Sequence, residues 1–102
     1  MITVVVNFDL PPGTTLADAT QRYRDSSKKY LGAPGLVRKI YLYNEDQMKG
    51  GGAYVFNTRA EADALLNDAW RASITERYGA PPVLTYFESP VVVDNVTGEI
   101  IT

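Results

Sequence analysis

"LVRKIYLYNEDQMKGGGAYVFN", residues 36–57, is the stretch whose reading decides the fold. "LVRKIYLYN" is dense in β-branched and aromatic side chains and predicts a strand. "NEDQMK" is polar and turn-like, and "GAYVFN" predicts a further strand. The glycines between them, Gly50, Gly51 and Gly52, raise the question of a phosphate cradle. Such a loop follows a strand and opens a helix, whose amides and dipole hold the anion. These glycines instead lead into a strand, and no Gly-Lys-Ser/Thr follows. They read as a hairpin corner or bulge, where glycine permits positive φ and close backbone approach.

Working outward, Ile2–Phe8 ("ITVVVNF") reads as a strand closed by Pro11-Pro12-Gly13. Thr15 with Asp18 forms a capping-box pattern, and Leu16, Ala19, Tyr23, Ser27 and Tyr30 recur at helical spacing. This predicts a first helix over roughly 15–31, stopped by Gly32 and Pro34. Thr58 with Glu61 is a second capping box. Its helix carries a candidate break at Asn67-Asp68 before "AWRASITERY", then ends at Gly79 and Pro81-Pro82. "VLTYFES" is the fourth main strand. The tail, "VVVDNVTGEIIT", reads either as a hairpin about Gly98 or as one extended, kinked arm.

The order strand–helix–strand–strand–helix–strand is the split βαβ pattern. It predicts an α+β, ferredoxin-like βαββαβ protomer: an antiparallel sheet with its helices on one face, plus an extra C-terminal strand or arm. No linker divides the chain, so residues 1–102 read as a single domain. In the strands, Ala53 and Val55 alternate with Tyr54 and Phe56, and Val83 and Phe87 with Leu84 and Tyr86. Both faces are apolar or aromatic, whereas two helices cover one. The second face calls for a second copy of the chain, so a homodimer through the sheet face is expected.

Absences narrow the chemistry. The sequence has no Cys and no His. That removes disulfides, thiolate and imidazole metal sites, thiol nucleophiles and Ser-His-Asp triads, so no metal is expected. Net charge is −2 with no basic cluster, which argues against nucleic acid. No apolar run is long enough to span a membrane, and residues 1–20 lack a signal-peptide pattern, so a cytoplasmic protein is expected.

Seven Tyr in so short a chain are suited to pocket walls or interfaces, where a ring is buried and its hydroxyl finds a partner. Asn7 interrupts a strand of Ile and Val. It reads as a buried Asn bonded either to a helix end or to a substrate. Arg38 and Lys39 lie mid-strand and point to opposite faces. Either they pair with a carboxylate such as Glu88, or a lysine buried among aromatics is poised as a base.

"PGLVRKIYLYNED", "GGGAYVF", "AWRASITERYGAPP" and "YFESPVVVDN" resemble, in order and spacing, the YdhR-type monooxygenase family of the dimeric α+β barrel superfamily. The resemblance runs over about residues 34–97. It implies a ferredoxin-like protomer whose sheet packs on that of its mate. Relatives in the superfamily include cofactor-free monooxygenases of polycyclic phenols, and haem degraders. The latter use an Asn on the first strand and a Trp on the second helix together with an axial His. Asn7 and Trp70 occupy the matching elements here, but with no His haem degradation is not expected and no cofactor is implied.

The resemblance thus implies a cofactor-independent monooxygenase, an oxidoreductase acting on a small phenol or hydroquinone. Asn7, Trp70 and Lys39 are the candidate catalytic residues, and Arg38, Tyr41, Tyr54 and Tyr86 the candidate substrate contacts. Strand alternation prevents all seven from facing one cavity. The alternative is a non-catalytic dimeric module, binding a small molecule or serving a structural role. A cavity holding Trp70 and Asn7 would favour binding or catalysis over that structural role.

Overall fold

The computed structural model describes residues 1–102. Its main sheet comprises β1 (Ile2–Asp9), β2 (Leu36–Asn44), β3 (Lys49–Phe56) and β4 (Val83–Glu88). The strands run in the order β2-β3-β1-β4, and every neighbouring pair is antiparallel. The helices are α1 (Leu16–Ser27), α2 (Arg59–Leu65) and α3 (Asp68–Tyr78). This is the ferredoxin-like arrangement that the sequence order predicts.

Local chemistry explains each helix boundary. Thr15 and Asp18 close the capping box reciprocally, satisfying two amides that the first turn leaves free. Residues after Ser27 tighten into i→i+3 bonds, Lys29 N to Ser26 O and Tyr30 N to Ser27 O, so α1 stops before the predicted 31. That turn delivers Tyr30 into the core. Thr58 caps α2, and the chain breaks at Leu66. Asn67 then accepts the Trp70 amide to begin α3, which Gly79 ends in the left-handed conformation.

The register fixes the two sides of the sheet. Val4, Val6, Phe8, Tyr54 and Phe56 are buried beneath the helices and form the core with Ala19, Ala62 and Ile74. Their strand neighbours Val5, Asn7, Ala53 and Val55 face the other way. On that second side Ile40, Val83 and Phe87 are each more than half exposed. A register shift between Leu36 and Arg38 places Leu36 on the same side as Lys39.

The corner between β2 and β3 is made by residues 45–48, with Met48 at φ 49°. The three glycines are therefore not the corner; they lie within β3 itself. Gly51 has φ +155°, and a Cβ there would collide with the carbonyl of Val6 on β1. Close backbone approach is its reason, as glycine alone allows. The tail is a hairpin rather than an extended arm. Its strands β5 (Val92–Asp94) and β6 (Glu99–Ile101) pair through Asp94 and Glu99, and Gly98 takes positive φ.

Candidate functional site

A cavity of about 330 Å³ lies between α1, α3 and the helix side of β1, β3 and β2. Glycine creates its floor. A Cβ at Gly50 would strike the Tyr23 hydroxyl and the Phe8 ring, and one at Gly52 would press on Tyr54 and the Lys39 stem. The missing side chains are the space into which aromatic rings from other elements converge. Phe8 stacks on Tyr78 at 4.3 Å, and Tyr23 on Tyr41 at 4.6 Å. Offset pairs of this kind add to simple burial.

Hydroxyls around these rings are tied down. Tyr23 donates to the Leu42 carbonyl at 2.7 Å, and Tyr41 shares a 2.7 Å hydrogen bond with Ser26. Burial pushes the Tyr23 phenol up to about 12 and raises Tyr41 and Tyr78 as well. Burial likewise raises Tyr54, reinforced by the adjacent Tyr30. These four phenols are neutral hydrogen-bonding groups at physiological pH.

One amine enters this wall of rings. Lys39 Nζ lies 3.4 Å from the centroid of Tyr30, 3.8 Å from Tyr41 and 4.7 Å from Tyr54. The chain has two ion pairs, Lys49–Asp9 and Arg59–Asp63, and neither involves Lys39. Ring faces attract an ammonium, by about 0.5–1 kcal/mol each in water and more when desolvated. Burial without an anion outweighs that attraction. It brings the Lys39 amine down to about 6, helped by the nearby positive charges of Lys29 and Arg77.

Exposed Lys29, Glu76 and Arg77 mark the mouth. There the helices are clasped reciprocally. Arg22 donates to the Arg77 carbonyl at 2.6 Å, and Arg77 donates to the Arg22 carbonyl at 2.9 Å. The site is thus a ring-walled chamber with polar patches, one half-buried amine inside and a net positive rim.

The structure divides the candidate residues among four places. Lys39 and Tyr41 line the cavity. Tyr54 and Trp70 stand just behind its wall: Tyr54 touches Lys39, and the Trp70 indole donates to the Tyr30 hydroxyl at 2.9 Å. Trp70 is also edge-on to Tyr54 at 6.1 Å. Asn7 and Arg38 are exposed on the opposite side of the sheet, so the expected buried Asn7 beside Trp70 does not occur. The reason is strand parity: Val6 and Phe8 take the helix side, and Asn7 between them must face away. Tyr86 sits on β4, the far edge strand from β2, where the Arg59 guanidinium covers its ring at 3.9 Å.

Ser26, Lys29 and Arg77 escaped the sequence reading, whereas Tyr23 and Tyr78 stood in it only among the seven tyrosines suited to walls or interfaces. The signal that marks them is the helical spacing of Ala19, Tyr23 and Ser26 on the buried side of α1, and of Trp70, Ile74 and Tyr78 on α3.

With this geometry in hand, the likeness to known proteins can be placed. A sequence model of the family described as "Putative mono-oxygenase ydhR" matches residues 2–85. The chain belongs to this family. The ydhR match spans all four strands of the sheet as far as Thr85 and every residue lining the cavity. In three dimensions the ydhR-family chain is similar to the crystal structure of a "putative antibiotic biosynthesis monooxygenase" from Deinococcus radiodurans. The TM-score is 0.71 at 8% identity, with 92% of this chain and 97% of that one covered. At that identity the likeness speaks for the fold. Among curated proteins none matches. No helix of the chain is long and apolar enough to cross a membrane.

Proposed function

We propose that this ydhR-family chain is a cofactor-independent monooxygenase of small phenols or hydroquinones, with Lys39 as its general base. The observation that carries the reading is an amine enclosed by three tyrosine rings in a cavity, with no acid paired to it. A flat aromatic substrate enters between the Tyr41 and Tyr78 rings, and Lys39 takes its acidic proton. The resulting ammonium is held by the faces of Tyr30, Tyr41 and Tyr54, and it pairs with the substrate anion. The dry wall strengthens that pairing.

The anion then supplies electrons to dioxygen. A single-electron transfer gives a substrate radical and superoxide, which join through a new C–O bond. The peroxide anion recovers its proton from the Lys39 ammonium. Loss of water from a hydroperoxide whose carbon bears a hydrogen leaves a carbonyl. One oxygen atom ends in the product and the other in water, so the four electrons of dioxygen are accounted for.

The second part of the reading is a homodimer through the open side of the sheet. Support comes from Ile40, Val83 and Phe87, exposed by 53%, 65% and 51% on one surface, an apolar patch a monomer rarely presents. The hairpin and the open side near Val37, Arg38 and Val55 border a further cavity of about 470 Å³, which a mate would fill. Arg38 then belongs to the seam rather than to the substrate.

The test is oxygen uptake with a panel of anthrones and hydroquinones. Wild-type protein should accelerate consumption over buffer, and Lys39→Met should lower the rate by about a hundredfold or more, the usual worth of a positioned base. Tight binding of the same compounds with no acceleration assigns the chain to the small-molecule-binding class instead.

A further inference from the structure

The amine of the cavity has a second chemistry that needs no oxygen. Lys39 Nζ is packed against three rings, at 3.4, 3.8 and 4.7 Å from their centroids. Glu76, at the exposed mouth, is the only acid lining the cavity, and it forms no ion pair with Lys39. Lys29 and Arg77 bring positive charge to the same side, while Tyr23 and Tyr78 complete the walls as neutral phenols. A lysine becomes a nucleophile when it is desolvated or set beside other cations, because either condition frees its lone pair near neutral pH. Both conditions hold at Lys39.

We propose that Lys39 is a covalent attachment site for aromatic carbonyl compounds, which enter the chamber and form an imine on Nζ. The amine lone pair attacks the carbonyl carbon, and a proton moves from nitrogen to oxygen to give a carbinolamine. Loss of hydroxide with a proton, one water in all, leaves the C=N bond. No oxidant or reductant is consumed. The Ser26–Tyr41 hydroxyl pair lines the cavity with a 2.7 Å bond and gives the carbinolamine hydroxyl a polar wall to meet. Rings of the ligand lie against Tyr41 and Tyr78, and an anionic substituent meets Lys29 and Arg77 at the mouth.

The site therefore favours a one- or two-ring aldehyde or ketone over an aliphatic one, which fills none of the ring surface. It shares the neutral Lys39 amine with the oxygenase reading but needs neither dioxygen nor an acidic substrate.

The test traps the imine. Wild-type protein is incubated at pH 7 with 2-naphthaldehyde and cyanoborohydride, and the reduced adduct is mapped by peptide mass spectrometry. Lys39 should be modified about tenfold or more faster than Lys28, Lys29 and Lys49. Its rate should rise through pH about 6, and unfolding in urea should erase the preference. Propionaldehyde should show a smaller preference for Lys39. A label that follows exposure, or that reaches Lys39 only after unfolding, overturns the proposal. Wild-type mapping does not depend on a variant that folds. Lys39→Met serves as a further check and should lose only the fast adduct. Oxygen uptake is read on an untreated portion of the same protein, so failure of one reading is distinguishable from failure of the other.

Discussion

The two sides of the sheet are built from the same kinds of residue and behave differently. Under the helices Val4, Val6, Tyr54 and Phe56 are almost wholly buried. On the reverse, Val5, Ala53 and Val55 are half-buried, and Ile40 and Phe87 are more exposed still. The helix side also holds a cavity and an unpaired amine, whereas the open side presents apolar surface fringed by Arg38 and the tail hairpin. One side is organised around rings that pack into the room glycine leaves, and the other around a surface left uncovered. Composition alone does not distinguish a pocket from a seam; the side of the sheet on which the helices lie does.

The largest effect expected from a single change is at the backbone shared by both sides. Gly51→Val forces a side chain into the Val6 carbonyl at a φ that L-residues avoid. It should cost about 3 kcal/mol or more, read from urea or thermal unfolding. A variant of near wild-type stability would show that β1 and β3 approach each other less closely.

Next comes the open side. Ile40→Asp with Phe87→Asp should weaken self-association by about a hundredfold while leaving the protomer folded, since both side chains are half exposed. Sedimentation of the pair of variants beside wild type reads this. A wild-type chain that is monomeric at micromolar concentration breaks the comparison, because the open side then needs no mate.

The helix side has a pH signature. Lys39 binds its proton with a value of about 6 in the folded chain against an ordinary 10.5. Between those values the unfolded state holds more protons, so stability rises with pH. The gain should reach about 2 kcal/mol once water access to the amine is allowed for, and Lys39→Met should flatten it. The slope should reverse above pH 10, because the Tyr23 phenol ionises near 10 when unfolded and only at about 12 when folded. Denaturant midpoints from pH 6 to 11 measure both limbs.

The smallest effect concerns the support behind the cage. Trp70→Phe keeps the ring but removes the N–H that reaches Tyr30 at 2.9 Å. It should cost about 1 kcal/mol of stability. A larger fall in oxygen uptake, rescued by no change in Lys39, would mark Trp70 as a positioning residue for Tyr30.

The architecture was largely legible because its signals are local. Thr15 with Asp18, Thr58 with Glu61 and Asn67 each announce a helix start within four residues; each caps its helix, but Thr58 only by accepting the Glu61 amide, without the reciprocal bond of a capping box. Alternation in β3 and β4 sorted Tyr54 from Val55 and Leu84 from Val83 correctly. The site was legible only in part because its parts are remote. Lys39 among aromatics was visible, since Tyr41 and Tyr43 lie within four residues of it in the sequence. Asn7 misled because its place among Ile and Val suggests burial on both sides, and one of those sides is open. The glycines misled for a related reason. What they make room for, Phe8 and Tyr23, lies on β1 and α1, and no window of sequence around Gly50 contains it.

The bond between Trp70 and Tyr30 has a practical consequence. The chain has a single tryptophan, and its indole touches the cage that surrounds the reactive amine. Tyr30 and Tyr54 stand next to that one emitter, in direct contact with its ring. Anything that settles against Tyr30, or that charges Lys39 beneath it, alters the field around the indole. The protein therefore contains its own optical gauge of occupancy, and a fluorescence titration of the unlabelled chain reads the chamber directly.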